Sequence, residues 1–158
     1  MKKNIVIPIK WYRTYSIREI VLSDIKDRRF LSALENLSVK VVPASRAEQI
    51  FWVIKSNPFH KVFVAVRENI VIGSTSLLVE PKFIYSGGLV GHIEDVVVSK
   101  EYTGTGIGSN LIRFTINVAR KLYRCKKLIL DCSDKNRSFY ERLGFSYQDN
   151  CMTIIWRN

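Results

Sequence analysis

Apolar residues along this chain fall into two spacings, and each change of spacing marks an element. Ser16 to Val21 alternates as a short strand. Ser23-Asp24 then offers a helix N-cap ahead of Ile25, Phe30, Leu31, Leu34 and Leu37 at helical spacing. After Pro43, residues Ala47 to Ile54 carry a second helical pattern. The period then shortens: Lys61 to Val66 and Ile70 to Glu80 are β-branched runs joined by the polar turn Arg67-Glu68-Asn69, which predicts a hairpin. His92 to Val98 reads as a third strand of that sheet. Helical spacing returns with Ile107, Leu111, Thr115, Val118 and Leu122. Leu128 to Cys132 reads as a buried strand, Asn136 to Arg142 as a short helix stopped by Gly144, and Met152 to Trp156 as a last strand. Strands and helices interleaved in this way predict an α/β fold. With 158 residues, 47% of them hydrophobic, the chain supports one core and one domain, and no internal repeat divides it.

The densest chemistry lies between His92 and Gly108. A strand carrying Glu94 and Asp95 runs into a loop with glycine at every second position, Gly104, Gly106 and Gly108, and helical spacing begins where the glycines end. Glycines there let backbone N–H groups crowd together at a helix start, whose dipole favours negative charge, so the loop suits a pyrophosphate. A strand-to-helix turn with no ligand has the same composition. A dinucleotide fingerprint needs its glycines after the first strand of a βαβ unit, and this loop lies two thirds of the way along. A nucleotide-triphosphate loop ends in Gly-Lys-Ser/Thr, whereas this one ends Gly108-Ser109-Asn110.

Strand alternation places Glu94 and Asp95 on opposite faces. Adjacent carboxylates in a Val/Ile strand are costly to bury unpaired, which points to a lined cavity as well as to solvated charge. Asp131 closes Leu128-Ile129-Leu130 at a strand end, where ligand groups collect in open α/β sheets, and it is equally placed to cap the next loop. His92, alone on an apolar strand, reads as structural.

Net charge changes the picture of the partner. The chain has 25 Lys+Arg against 14 Asp+Glu, a formal +11, which favours an anionic ligand. The basic residues are scattered and no nucleic-acid motif appears, so small anions rank above nucleic acid. Three cysteines, Cys125, Cys132 and Cys151, are odd in number with no C-x-x-C pairing, which predicts reduced thiols in the cytoplasm and neither a disulfide framework nor a metal site. Ile5 to Ile9, interrupted by Pro8, is too short for a signal peptide or a membrane span. Residues 1–14 read as an extension, disordered or adding a strand, ahead of a domain over 15–158.

The order of elements, with the glycine loop between a central strand and the next helix, resembles the GCN5-related N-acetyltransferase (GNAT) fold, a mixed sheet with splayed central strands flanked by helices. Within it, residues 80–145 carry E-x-K-F-I, G-H-I-E-D-V-V-V, the glycine loop, L-I-L-D-C and N-x-x-F-Y-E-R-L-G-F, and are similar to the glucosamine-6-phosphate N-acetyltransferases. The likeness is weaker over 15–72 and absent from the first fourteen residues. It implies direct acetyl transfer from acetyl-CoA to D-glucosamine 6-phosphate on the way to UDP-N-acetylglucosamine, with no metal.

By that resemblance Gly104, Thr105, Gly106, Ile107, Gly108 and Ser109 hold the pyrophosphate. Val96, Val97 and Val98 pair with the pantetheine arm, and Asn136 and Tyr140 complete the cofactor site. Tyr140 donates to the CoA sulfur, and a phenol near pKa 10 suits a thiolate leaving group; otherwise it is a core-packing tyrosine. Glu94 and Asp95 hold the sugar or its amine, and the Asp131 carbonyl orients the attacking nitrogen. Ser38, Lys82, Phe83, Ile84, Tyr85, Lys127 and Arg157 are implied in substrate contact, with ordinary surface charge the alternative for each cation. A homodimer is implied too, with Lys127 serving the neighbouring subunit's site. The sequence departs from the family pattern at Thr103, where Arg or Gln is usual, and at Pro81, Tyr85 and Ser86 in place of Arg, His and Glu. An acetyltransferase for another amine and a basic binding module without catalysis are the competing readings.

Overall fold

The computed structural model describes residues 7–26, 29–37, 40–148, 152 and 154. Its described strands form a six-stranded sheet in sequence order, β1 (Lys10–Trp11), β2 (Ser16–Glu19), β3 (His60–Arg67), β4 (Ile70–Pro81), β5 (Leu89–Val98) and β6 (Lys127–Ile129). Neighbours are antiparallel except β5 and β6, which are parallel. The helices are α1 (Leu22–Lys26), α2 (Arg29–Leu34), α3 (Ala44–Ser56), α4 (Ile107–Lys121) and α5 (Asp134–Glu141).

β3 and β4 form the predicted hairpin. Glu68 and Asn69 both take positive φ, 49° and 63°, the tight turn whose twist matches the flanking strands. β4 is buried from Val71 to Leu77, because helices cover both faces of the sheet. On one face Phe63, Ala65, Leu77 and Val79 meet Leu111, Phe114 and Val118 of α4, with Phe63 and Phe114 edge to face at 5.1 Å. On the other, Val62, Val64 and Val71 meet Ile25, Leu31, Ala47 and Phe51 of α1 to α3. A third cluster, Ile93, Ile112 and Tyr140, joins β5 to α4 and α5.

Several sequence expectations shift. The apolar run from Ile25 to Leu37 is helical wherever it is described before its end, in α1 and α2, and closes in a 3-10 turn over Glu35–Leu37. Ser23-Asp24 lies inside α1 and does not precede it. Asp24, buried, reaches back to accept from the Val21 N–H at 2.9 Å and takes the Arg18 guanidinium at 2.7 and 2.9 Å. The last strand expected at 152–156 falls mostly outside the described residues, where Met152 and Ile154 are exposed and in no strand. The extension contributes β1, which pairs Lys10 with Ile17 and Trp11 with Ser16. Leu128 to Cys132 is not a buried strand: β6 is short, at the edge of the described sheet, and Ile129 is exposed.

Candidate active site

β5 and β6 pair from Val90–Lys127 through Gly91–Leu128 to His92–Ile129 and no further. Past His92, β5 continues to Val98 on its β4 side, while β6 ends at Ile129. The two strands therefore part, and the backbone of Glu94 to Val98 has no β6 partner among the described residues. Unpaired strand N–H and C=O groups at such an opening fit an extended, amide-bearing ligand. Val96, Val97 and Val98 all lie on this stretch.

A β-bulge sits at the same place. Ser76 faces Glu94 and Ser74 faces Val97, so Asp95 and Val96 together oppose Thr75. Asp95 takes φ 50°, a left-handed conformation uncommon for a residue with a side chain. The extra residue interrupts the strict alternation of the strand from Asp95 onward. The Thr75 hydroxyl, beneath the bulge, is a buried polar atom without a partner among the described residues. Both carboxylates are exposed. Partial burial first, then the charges of Asp95 and Asp131, raise the Glu94 pKa above the ordinary carboxylate value, with His92 opposing. Three carboxylates thus share one electrostatic neighbourhood at the parting of the strands, and Glu94 is a better proton acceptor than a free glutamate.

The glycine loop closes one end of the opening. Gly104 and Gly106 take φ 79° and 86°, and Gly106 immediately precedes α4 with no side chain capping the helix. The first-turn N–H groups of Ile107, Gly108 and Ser109 have no carbonyl within the helix to bond. A Cβ on Gly104 or Gly106 would meet nothing within 4 Å, so their need for glycine comes from the backbone angle. Gly108 is packed, with an added Cβ 3.5 Å from Phe139 and from Val98. Such a concave set of amides at a helix start takes phosphate oxygens.

Tyr140, the seventh residue of α5, is packed edge to face between Phe139 and Phe145 at 4.9 and 6.0 Å. It is 8% exposed, and its hydroxyl has no hydrogen-bond partner among the described residues. Burial first, and the neighbouring Cys132 second, raise its pKa from the usual 10. The phenol stays protonated at neutral pH, a donor without an acceptor among the described residues. Tyr140 lines a cavity of about 900 Å³ with Leu130, Asp131 and Cys132. Asn136 is exposed on the first turn of α5.

The cations implied in substrate contact lie around the start of β5. Lys82 pairs with Glu80, whose carboxylate also stands 3.1 Å from His92 Nε2. The Lys82 hydrogen bond, ahead of His92, holds the Glu80 pKa below its usual value. Lys127 is exposed, its Nζ 5.8 Å from the centroid of Tyr85. Phe83, Ile84 and Tyr85 are all exposed. Ser38 and Arg157 lie outside the described residues.

Two contacts escaped the sequence reading. His92 is tied into the Lys82–Glu80 pair; the signal was its diagonal relation to Glu80 across β4 and β5, since His92 faces Leu78 and Val90 faces Glu80. Tyr15 accepts a 2.6 Å hydrogen bond from Asn110 Nδ2 in the first turn of α4. Nothing local marks a contact across 95 positions.

A model of the Acetyltransferase (GNAT) family matches residues 25–145. The chain belongs to the GNAT family. It is 33% identical over 137 residues to the glucosamine 6-phosphate N-acetyltransferase of Arabidopsis thaliana, covering 84% of this chain and 91% of that protein. The protein of the same name from Trypanosoma brucei brucei is 44% identical over 94 residues, 60% of this chain and 63% of the relative's length. A crystal structure of the Arabidopsis thaliana enzyme superposes with a TM-score of 0.86 at 32% identity, over 92% of this chain and all of that one. The mixed sheet flanked by helices is the GNAT fold, and GNAT acetyltransferases use acetyl-CoA as cosubstrate. The parted strands, the uncapped α4 start and the free Tyr140 hydroxyl all lie within the matched residues.

Proposed function

We propose that this protein transfers the acetyl group of acetyl-CoA directly to the amine of D-glucosamine 6-phosphate, giving N-acetyl-D-glucosamine 6-phosphate for UDP-N-acetylglucosamine synthesis. The observation that carries the reading is Tyr140, 8% exposed, whose hydroxyl bonds no described residue and which lines the cavity with Leu130, Asp131 and Cys132 just past the end of β6. The whole-chain similarity to enzymes of that name supports the choice of acceptor.

Acetyl-CoA supplies the thioester. Gly104 to Ser109 supply amides for its pyrophosphate, and the free β5 edge at Val96 to Val98 supplies partners for the pantetheine amides. Glu94, raised in pKa, accepts a proton from the substrate ammonium and leaves the amine free to attack, while Asp95 and the Asp131 backbone orient it. Tyr140 gives its proton, or a strong hydrogen bond, to the departing sulfur. Lys82 and Lys127 face the sugar phosphate. The active unit in this reading is a cytoplasmic homodimer: the exposed Phe83, Ile84 and Tyr85 beside Lys127 form an apolar and cationic edge suited to a second subunit.

The test is CoA release from acetyl-CoA with glucosamine 6-phosphate, glucosamine and spermine side by side. The sugar phosphate should be the best acceptor by a wide margin. Preference for spermine would overturn the acceptor while leaving the GNAT chemistry in place. Mixing Lys127→Ala with Tyr140→Phe chains should restore part of the activity if Lys127 serves the neighbouring site, and no recovery after subunit exchange removes the shared site.

A further inference from the structure

The glycine loop and the first turn of α4, from Thr103 to Asn110, carry no charged side chain, so an anion at the helix start is met there by neutral donors. One loop hydroxyl is already engaged, since Thr105 Oγ1 donates to the Tyr102 carbonyl at 2.6 Å. Another hydroxyl reaches this turn from just before β2. Tyr15 and Tyr102 both pack against the cluster that holds Ile107 and Leu111 of α4. The Tyr15 ring is stacked on Tyr12 at 4.7 Å, and the Tyr12 N–H donates to the Tyr15 carbonyl at 2.8 Å, which fixes the ring in place. Asn110 Nδ2 donates to the Tyr15 hydroxyl at 2.6 Å. Helical side chains lean toward the helix start, so Asn110, the fourth residue of α4, draws that oxygen toward the free N–H groups of Ile107, Gly108 and Ser109. A hydroxyl that accepts one hydrogen bond still has a proton to give. Among the described residues, the Tyr15 proton has no acceptor.

We propose that Tyr15 is a cosubstrate-binding residue, whose hydroxyl donates to a pyrophosphate oxygen of acetyl-CoA, with Asn110 as the positioning residue that holds and polarises it. The proposal rests on the acetyl-CoA reading of the cleft. Hydrogen bonds in a chain strengthen one another, so the Asn110 amide makes the phenol a better donor. A charged acceptor makes the bond stronger again. The β1–β2 hairpin is thereby joined to cosubstrate binding through a contact that spans 95 positions of sequence.

The experiment compares acetyl-CoA with S-acetylpantetheine, which keeps the thioester and the pantetheine amides but has no pyrophosphate. Tyr15→Phe should raise the KM for acetyl-CoA roughly tenfold to a hundredfold, the worth of a hydrogen bond to a charged group, with kcat little changed. With S-acetylpantetheine the same variant should match the parent. Asn110→Leu should raise the KM for acetyl-CoA in the same direction, and the double variant should be little worse than Tyr15→Phe alone. Tyr12→Phe, which keeps the stacked ring, should behave as the parent with both donors. An unchanged KM for acetyl-CoA in Tyr15→Phe, an equal loss with both donors, additive losses in the double variant, or the same loss in Tyr12→Phe would overturn the proposal. The melting temperature of the parent with acetyl-CoA keeps the two readings apart. No upward shift in the parent defeats the acetyl-CoA reading, whereas a shift that Tyr15→Phe retains in full at every cosubstrate concentration defeats only the role of Tyr15.

Discussion

The β3–β4 pair and the β5–β6 pair belong to one sheet and put the same backbone chemistry to different uses. β3 is matched to β4 along its whole length, both faces are covered by helices, and Phe63, Val64, Ala65 and Leu77 are fully buried. β5 and β6 part after His92–Ile129, and the residues past that point include two exposed carboxylates and a bulge. In the first pair the ladder runs from end to end through one register shift at Ala65/Val66, and the gain is stability. In the second, pairing stops early, and the groups left over are those a ligand can use. The teaching is that the site is the sheet's own unfinished hydrogen bonding, framed by one helix start and one aromatic hydroxyl.

The largest expected effect belongs to the unfinished side. Tyr140→Phe removes a hydroxyl that bonds nothing in the described chain, so the melting temperature should hardly move while kcat falls by about 10² to 10⁴, the usual worth of general acid assistance. Stopped assays with acetyl-CoA, beside thermal denaturation, check both halves. A variant at full rate would make the tyrosine a packing residue. Phe63→Ala is the mirror experiment on the finished side. It should cost about 3–5 kcal/mol of stability by denaturant titration, with the Km for acetyl-CoA of the remaining folded protein little changed.

Gly106→Val lies between these extremes. Its positive φ costs a branched residue about 1–3 kcal/mol, and the side chain would crowd the amides of the α4 start. The stabilisation that acetyl-CoA gives, read as a shift in melting temperature, should vanish, and a retained shift would remove the loop from cofactor binding.

Glu94→Gln should have the smallest effect on the fold and is the one with a pH signature. The folded protein raises the Glu94 pKa, so the glutamate favours folding most at low pH, below the ordinary carboxylate value, and loses that contribution as pH rises through the folded pKa. At pH 7 the glutamine should therefore melt slightly higher than the parent, and the advantage should fade on acidification until the two coincide below about pH 4.5. Activity should drop regardless. A variant that melts lower at neutral pH would mean the carboxylate is held by a favourable partner.

Local periodicity made α4 legible, since Ile107, Leu111, Thr115 and Val118 all reach the core, and the turn at Glu68-Asn69 made the hairpin legible. The glycine loop was readable because φ at Gly104 and Gly106 is a property of a few consecutive residues. Those are short-range constraints, and the sequence by itself determines them. The bulge at Asp95 was not readable, because it exists only as a mismatch of register with Ser74 and Ser76 on another strand. The site as a whole was hidden for the same reason. Asp131 neighbours Glu94 on one side and shares a cavity with Tyr140 on the other because β6 stops at Ile129 while β5 runs on, and the length of one strand relative to its neighbour across an intervening helix is fixed by packing of the whole sheet. Tertiary structure alone decided that β5, the helix behind the glycine loop and Tyr140 would pack together through Ile93 and Ile112.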